Sequence, residues 1–194
     1  MNYFIFFFLL FQFESSLAQE RNPLGTLSNE PLSEIQLKLV ARTQAFKSFD
    51  LQAHDRYDSA VNSPKSVIFS QDGKKYYVNS LEGYKTVVFD TRTHKKIKEI
   101  KHVFNASNQH LIKQNEATVF NYEQSPTQEL PNQFKGKPVE GCLSHNGKFL
   151  WVTYYRRDWD QNAQFPSALA IIDTEKDEIV RIMPTGPLPK MIAA

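Results

Sequence analysis

The chain of 194 residues contains one cysteine, Cys142, so no intramolecular disulfide can form and packing must hold the fold. The context "VEGCLSHNGK" puts Cys142 on an apolar run ahead of a turn, which fits a structural thiol better than a reactive one. An excess of one charge is also missing. Lys and Arg number 23 against 21 Asp and Glu, a formal +2, which excludes the basic footprint of a nucleic-acid binder. The apolar stretch "MNYFIFFFLLFQF" is shorter than the ~18 to 20 residues a membrane-spanning helix needs. There is no glycine-rich phosphate loop and no G-x-S-x-G elbow, and His54, His94, His102, His110 and His145 show no paired ligand spacing. No catalytic residue, metal set or cofactor is therefore assigned.

What is present begins with a leader. The apolar start gives way to "ESSLAQ", with Ser16 and Ala18 in an A-x-A-like arrangement, so residues 1–18 are expected to be a secretory signal peptide. No Lys or Arg precedes the apolar part, which leaves the amino terminus as its only positive charge. The expected location is the periplasm, the cell surface or the medium, with no membrane insertion after cleavage. Over the whole chain, 41% hydrophobic and 23% charged residues make a globular composition.

From Ser63 the chain repeats itself. "PKSVIFSQDGKKYYVN" aligns with "PVEGCLSHNGKFLWVT", pairing Pro64 with Pro138, Gly73 with Gly147 and Val78 with Val152. "TVVFDTRTHKKIKEI" then matches "ALAIIDTEKDEIVRI", pairing Asp90 with Asp173 and Thr91 with Thr174. Short runs of Val, Ile, Phe and Tyr separated by Gly, Asn and Asp predict strands, four to each unit. The Asp-Gly pair at 72–73 is expected to supply the positive φ angles of a tight hairpin. Units of this size with four antiparallel strands predict an all-β fold built of β-propeller blades.

The stretches "SQDGKKYYVNS" and "SHNGKFLWVTY", with the "FDT" and "IDT" after them, resemble the YVTN-repeat, or YncE-like, β-propeller family. The resemblance covers most of residues 64–194 and departs at Asn146, which stands where the first copy has Asp72. It implies a propeller but no particular activity, because the matching residues form turns and core strands. Blades are expected at 63–101 and 136–185, separated by an insertion at 102–135, with the start of another at 186–194. That makes an incomplete propeller of about two blades, so the remaining blades are needed in cis or from other chains. Residues 19–62 fit no complete blade. Ile35, Leu37 and Leu39 alternate with Gln36 and Lys38, which suggests a strand that closes a last blade, or a leader segment. A helix stays open, since Gln, Lys, Leu, Ala and Arg favour it and no Gly or Pro interrupts.

Spacing points to the functional end. Pro64 to Asp90 spans 26 positions and Pro138 to Asp173 spans 35, so nine extra residues interrupt the second unit within 154–167. The longer insertion, 102–135, follows the fourth strand of the first unit. In a meander, the loops after strands two and four emerge at the same end. Long loops on a rigid scaffold often carry binding. Tyr154, Tyr155, Arg156, Arg157, Asp158, Trp159 and Asp160 are the candidate ligand-binding residues, mixing aromatic surface with charge. The opposing expectation is that these residues pack their own loop. Asp158, Asp160 and Asn162 begin like a calcium loop, but Ala163 and Leu169 stand where it needs Gly and Glu. The function expected is a binding or scaffold module for a protein or glycan partner. A lactonase-like or redox propeller enzyme and a structural surface-layer protein are the alternatives.

Overall fold

The computed structural model describes residues 22–28, 35–46, 55–112 and 134–193. The expected signal peptide lies outside them, as do parts of 19–62 and most of the 102–135 insertion. Contacts divide the chain into Met1–Val40 and Ala41–Ala194. In the first unit Leu27 and Lys38 form an antiparallel bridge, flanked by Gly25 N to Leu39 O and Ser28 N to Leu37 O, both 2.8 Å. Leu37 thus lies next to an isolated bridge, through its carbonyl.

The second unit holds a two-residue parallel ladder, β1 (Thr43–Gln44) with β2 (Arg56–Tyr57), and two larger sheets. β3 (Pro64–Phe69), β4 (Lys75–Ser80), β5 (Lys85–Asp90) and β6 (Lys96–Lys101) form a four-stranded antiparallel meander. β7 (Val103–Phe104), β8 (Phe134–Ser144), β9 (Phe149–Arg157), β10 (Ser167–Asp173) and β11 (Glu178–Thr185) form the second sheet, in the order β11-β10-β9-β8-β7. The fold is all-β with antiparallel sheets, and the described residues contain no α-helix. No helix among them is long and apolar enough to cross a membrane.

The two first hairpins close differently despite their similar sequence. In the β3–β4 turn only Gly73 has a positive φ, +69°, while the Asp72 carboxylate accepts from Lys74 N and Ser70 Oγ. In the β8–β9 turn His145, Asn146 and Gly147 all have positive φ, at 52°, 54° and 80°. The expectation that Asp-Gly supplies two positive angles therefore holds at Gly73 but not at Asp72. Its carboxylate stabilises the turn by accepting one amide and one hydroxyl, whereas Asn146 enters the left-handed region directly. The later turns agree with each other. Asp90 Oδ1 accepts from Thr93 N at 2.7 Å, and Asp173 Oδ1 from Glu175 N at 3.0 Å. Thr91 N reaches Lys74 O and Thr174 N reaches Lys148 O, at 2.9 and 3.0 Å. The paired "DT" motifs are thus turn locks.

The main core lies between the sheets. Tyr77, Val88 and Ile100 of the first meet Leu150, Val152, Tyr154, Ala170 and Ile172 of the second, with Ile68 and Leu143 packed alongside. A smaller cluster on the other face of the first sheet joins Val78, Val87 and Phe89 to Ala60 and Val61. The insertion begins inside the main core. Phe104 is buried there, β7 pairs with β8, and a 3-10 helix, Ala106–Leu111, leads to Ile112, which bridges to Ile182 of β11. Residues 103–112 therefore run from one edge of the second sheet to the other. Phe104, Leu111 and Ile112 do so because burial beside the sheets removes their apolar surface from water.

Candidate functional site

The β4–β5 turn, the β9–β10 loop and the start of β8 meet at one end of the two sheets. Tyr84, in the β4–β5 turn, donates its hydroxyl to Asp158 in the β9–β10 loop at 2.5 Å. Lys137 at the start of β8 is nearly buried, bonds Glu82 at 2.6 Å and lies 3.7 Å from Asp158. Lys135 and Lys137 both approach the Tyr84 ring, at 5.4 and 5.2 Å from its centroid. Burial, then the bond to anionic Asp158, pushes the Tyr84 hydroxyl up to about 12. Asp158 N also bonds Lys135 O at 3.1 Å, so the two insertions touch where they leave the second sheet.

Beneath this end runs a chain of buried polar groups. Asn79 Oδ1 only accepts, so Thr86 Oγ1 donates to it at 2.7 Å. With its single proton used, Thr86 must accept from His102 Nε2 at 2.8 Å. His102 Nδ1 then carries no proton and accepts from the Tyr154 hydroxyl at 2.7 Å. At the other end Asn79 Nδ2 donates to Ser66 Oγ and to Val139 O, at 3.0 and 3.3 Å. His102 is wholly buried, and burial lowers its pKa to about 3, so the ring is neutral. The run crosses from the first sheet to the second with consistent donors throughout.

The seven candidate residues separate. Tyr154 is fully buried, with its hydroxyl on His102, and Arg157 is 2% exposed. Asp160 is also buried, its two carboxylate oxygens accepting from Gln164 N and Phe165 N. These three are therefore corrected from surface ligand contacts to parts of the packing. The strand alternation could have shown it for Tyr154, which follows Leu150 and Val152 on one face. Arg156 at the end of β9 and Asp158 and Trp159 in the loop after it stay partly exposed. Arg156 donates to Asp158 O at 2.8 Å, and the Trp159 ring lies 5.1 Å from Phe165. Tyr155 points to the opposite side and lines a separate cleft with Lys65, Leu81, Val139, Glu140 and Lys190. Composition gave no signal for His102, a single polar residue after β6. Among the described residues no three His, Cys, Asp or Glu side chains stand close enough to hold a metal ion.

The chain matches no family model and no curated protein. Among solved structures it is similar to the periplasmic gluconolactonase of Pseudomonas aeruginosa, at 17% identity and a TM-score of 0.38 over 69% of this chain and 29% of that one. A candidate 6-phosphogluconolactonase of Bacteroides uniformis is similar at 15% identity and 0.38, covering 86% and 35%. Kuenenia stuttgartiensis hydrazine synthase is similar at 18% identity and 0.27, covering 73% and 40%. The chain thus spans between about three tenths and two fifths of the length of the structures it resembles.

Proposed function

We propose that the chain is part of an exported β-propeller of the YVTN-repeat type, acting as a binding or scaffold module in the periplasm or at the cell surface. One repeated bond supports this reading. Asn79 Nδ2 donates to Val139 O, and Thr153 Oγ1, its aligned counterpart, donates to Lys190 O, both at 3.3 Å. Val139 and Lys190 each follow a repeat proline. The step from the first unit to the second is thus taken again from the second unit to the segment after it, as in blades placed around an axis.

The packing has the same sense. Phe69, Tyr76, Val78 and Phe89 align with Leu143, Leu150, Val152 and Ile172, the residues by which the second sheet meets the first. In the first sheet that face is open at Val67 and Phe69, 55% and 56% exposed, where a preceding blade would pack. The missing blades come in cis or from other chains. The partner is a protein or glycan held at the loop-bearing end by Arg156, Asp158 and Trp159.

A glycan array probed with the purified chain and its Trp159→Ala variant tests this reading alongside a lactone-hydrolysis assay. Binding lost in the variant is expected. Turnover of a lactone would put the enzyme alternative in its place.

A further inference from the structure

The position after the repeat proline is used for its backbone. Val139 and Lys190 supply carbonyls to Asn79 and Thr153, and Lys65 holds the same position in the first unit. Every residue type supplies a carbonyl, so this bond does not require lysine. Two of the three positions are lysine nevertheless, and both side chains line one cleft of about 400 Å³. Leu81 and Tyr155, also aligned positions, complete its wall with Val139 and Glu140. Neither Lys65 nor Lys190 forms an ion pair among the described residues. The Lys190 ammonium instead lies 5.3 Å from the centre of the Tyr155 ring.

We propose that this cleft binds the oxyanion of a small ligand, a carboxylate or a phosphate. Lys65 and Lys190 are its cations, and Tyr155 is an apolar wall beside them. Glu140 accepts ligand hydroxyl groups and limits how much negative charge the cleft tolerates. The volume lies in the range of small-molecule sites, roughly 300 to 1,000 Å³. The inference rests on the repeat reading above for the equivalence of the lysine positions.

Titration calorimetry of the whole chain at low ionic strength, with succinate and inorganic phosphate as separate probes, tests it. At least one probe is expected to bind, and the one that does tells carboxylate from phosphate. Lys65→Ala and Lys190→Ala each weaken binding about fivefold or more, Glu140→Gln strengthens it, and added salt weakens it. Lys101→Ala, an exposed lysine away from the cleft, leaves it unchanged. No heat from either probe, or equal weakening by Lys101→Ala, overturns the proposal. Thermal melts keep the two readings apart. Unaltered binding in a normally folded Lys65→Ala protein overturns the cleft alone, whereas Asn79→Ala and Thr153→Ala proteins as stable as the parent overturn the repeat.

Discussion

The Tyr154 hydroxyl lies 2.7 Å from His102 Nδ1 in the main core, and joins the second sheet to a polar chain that starts in the first. Both groups are fully buried, so neither can turn to water if its partner is lost. Tyr154→Phe removes the donor and leaves Nδ1 unmet, at a cost of about 1 to 3 kcal/mol. Urea unfolding of Tyr154→Phe, His102→Ala and the double variant measures it. The expected result is a double variant less destabilised than the sum of the two, because each single change already breaks the same bond.

The same burial makes the fold sensitive to acid. Unfolded, His102 takes up a proton near the ordinary 6.5; folded, it does so only at about 3. The unfolded state therefore binds more protons between these values, and stability falls as pH drops through that window. The slope is up to about 1.4 kcal/mol per pH unit. Glu99, held at about 2 by Lys85 and Lys96, adds its own loss lower down, as its carboxylate protonates. Unfolding measured across the upper part of the window should show a flatter slope in His102→Gln.

Asn79 serves three partners. Asn79→Ala removes the donor to Val139 O and Ser66 and the acceptor for Thr86, so a loss of about 2 to 4 kcal/mol is expected. Thr153→Val keeps the shape and removes the one hydroxyl proton that Lys190 O and Glu140 O share, at 3.3 and 3.4 Å, for about 1 kcal/mol or less. Chemical denaturation of both variants should rank them in that order.

Gly73 and Gly147 occupy aligned turns with unequal surroundings. An added Cβ at Gly73 meets nothing within 4 Å, so Gly73→Ala costs only the left-handed backbone, about 1 to 2 kcal/mol. At Gly147 the same atom would fall 2.4 Å from the Cβ of Gln71 in the neighbouring turn. Gly147→Ala is therefore expected to lower the melting temperature more. Adding Gln71→Gly should recover the excess, and a lack of recovery would show that the two turns do not touch in solution.

Much of the fold was legible along the chain. Runs such as "KYYVNS" and "KTVVFD" are strands because β-branched and aromatic residues suit a pleated, half-buried surface, and Asp-Gly or Asn-Gly marks where they reverse. The internal repeat located both meanders from local chemistry alone. The candidate site was less legible. Tyr154 and Tyr155 are adjacent aromatics of one type, yet one is sealed in the core and the other borders a cleft, since successive strand residues face opposite ways. Which face is the inside was fixed by the partner sheet.

The sequence by itself determined the strands, their turns and the repeat, because these depend on propensity and on contacts within a few residues. Only the tertiary structure decided the rest. It turned the start of the 102–135 insertion into a core-filling crossing at Phe104, Leu111 and Ile112. It buried His102 as a neutral ring and set Lys65 and Lys190, 125 positions apart, around one cleft. Those outcomes depend on which surfaces meet when two sheets pack, and no local pattern encodes that meeting.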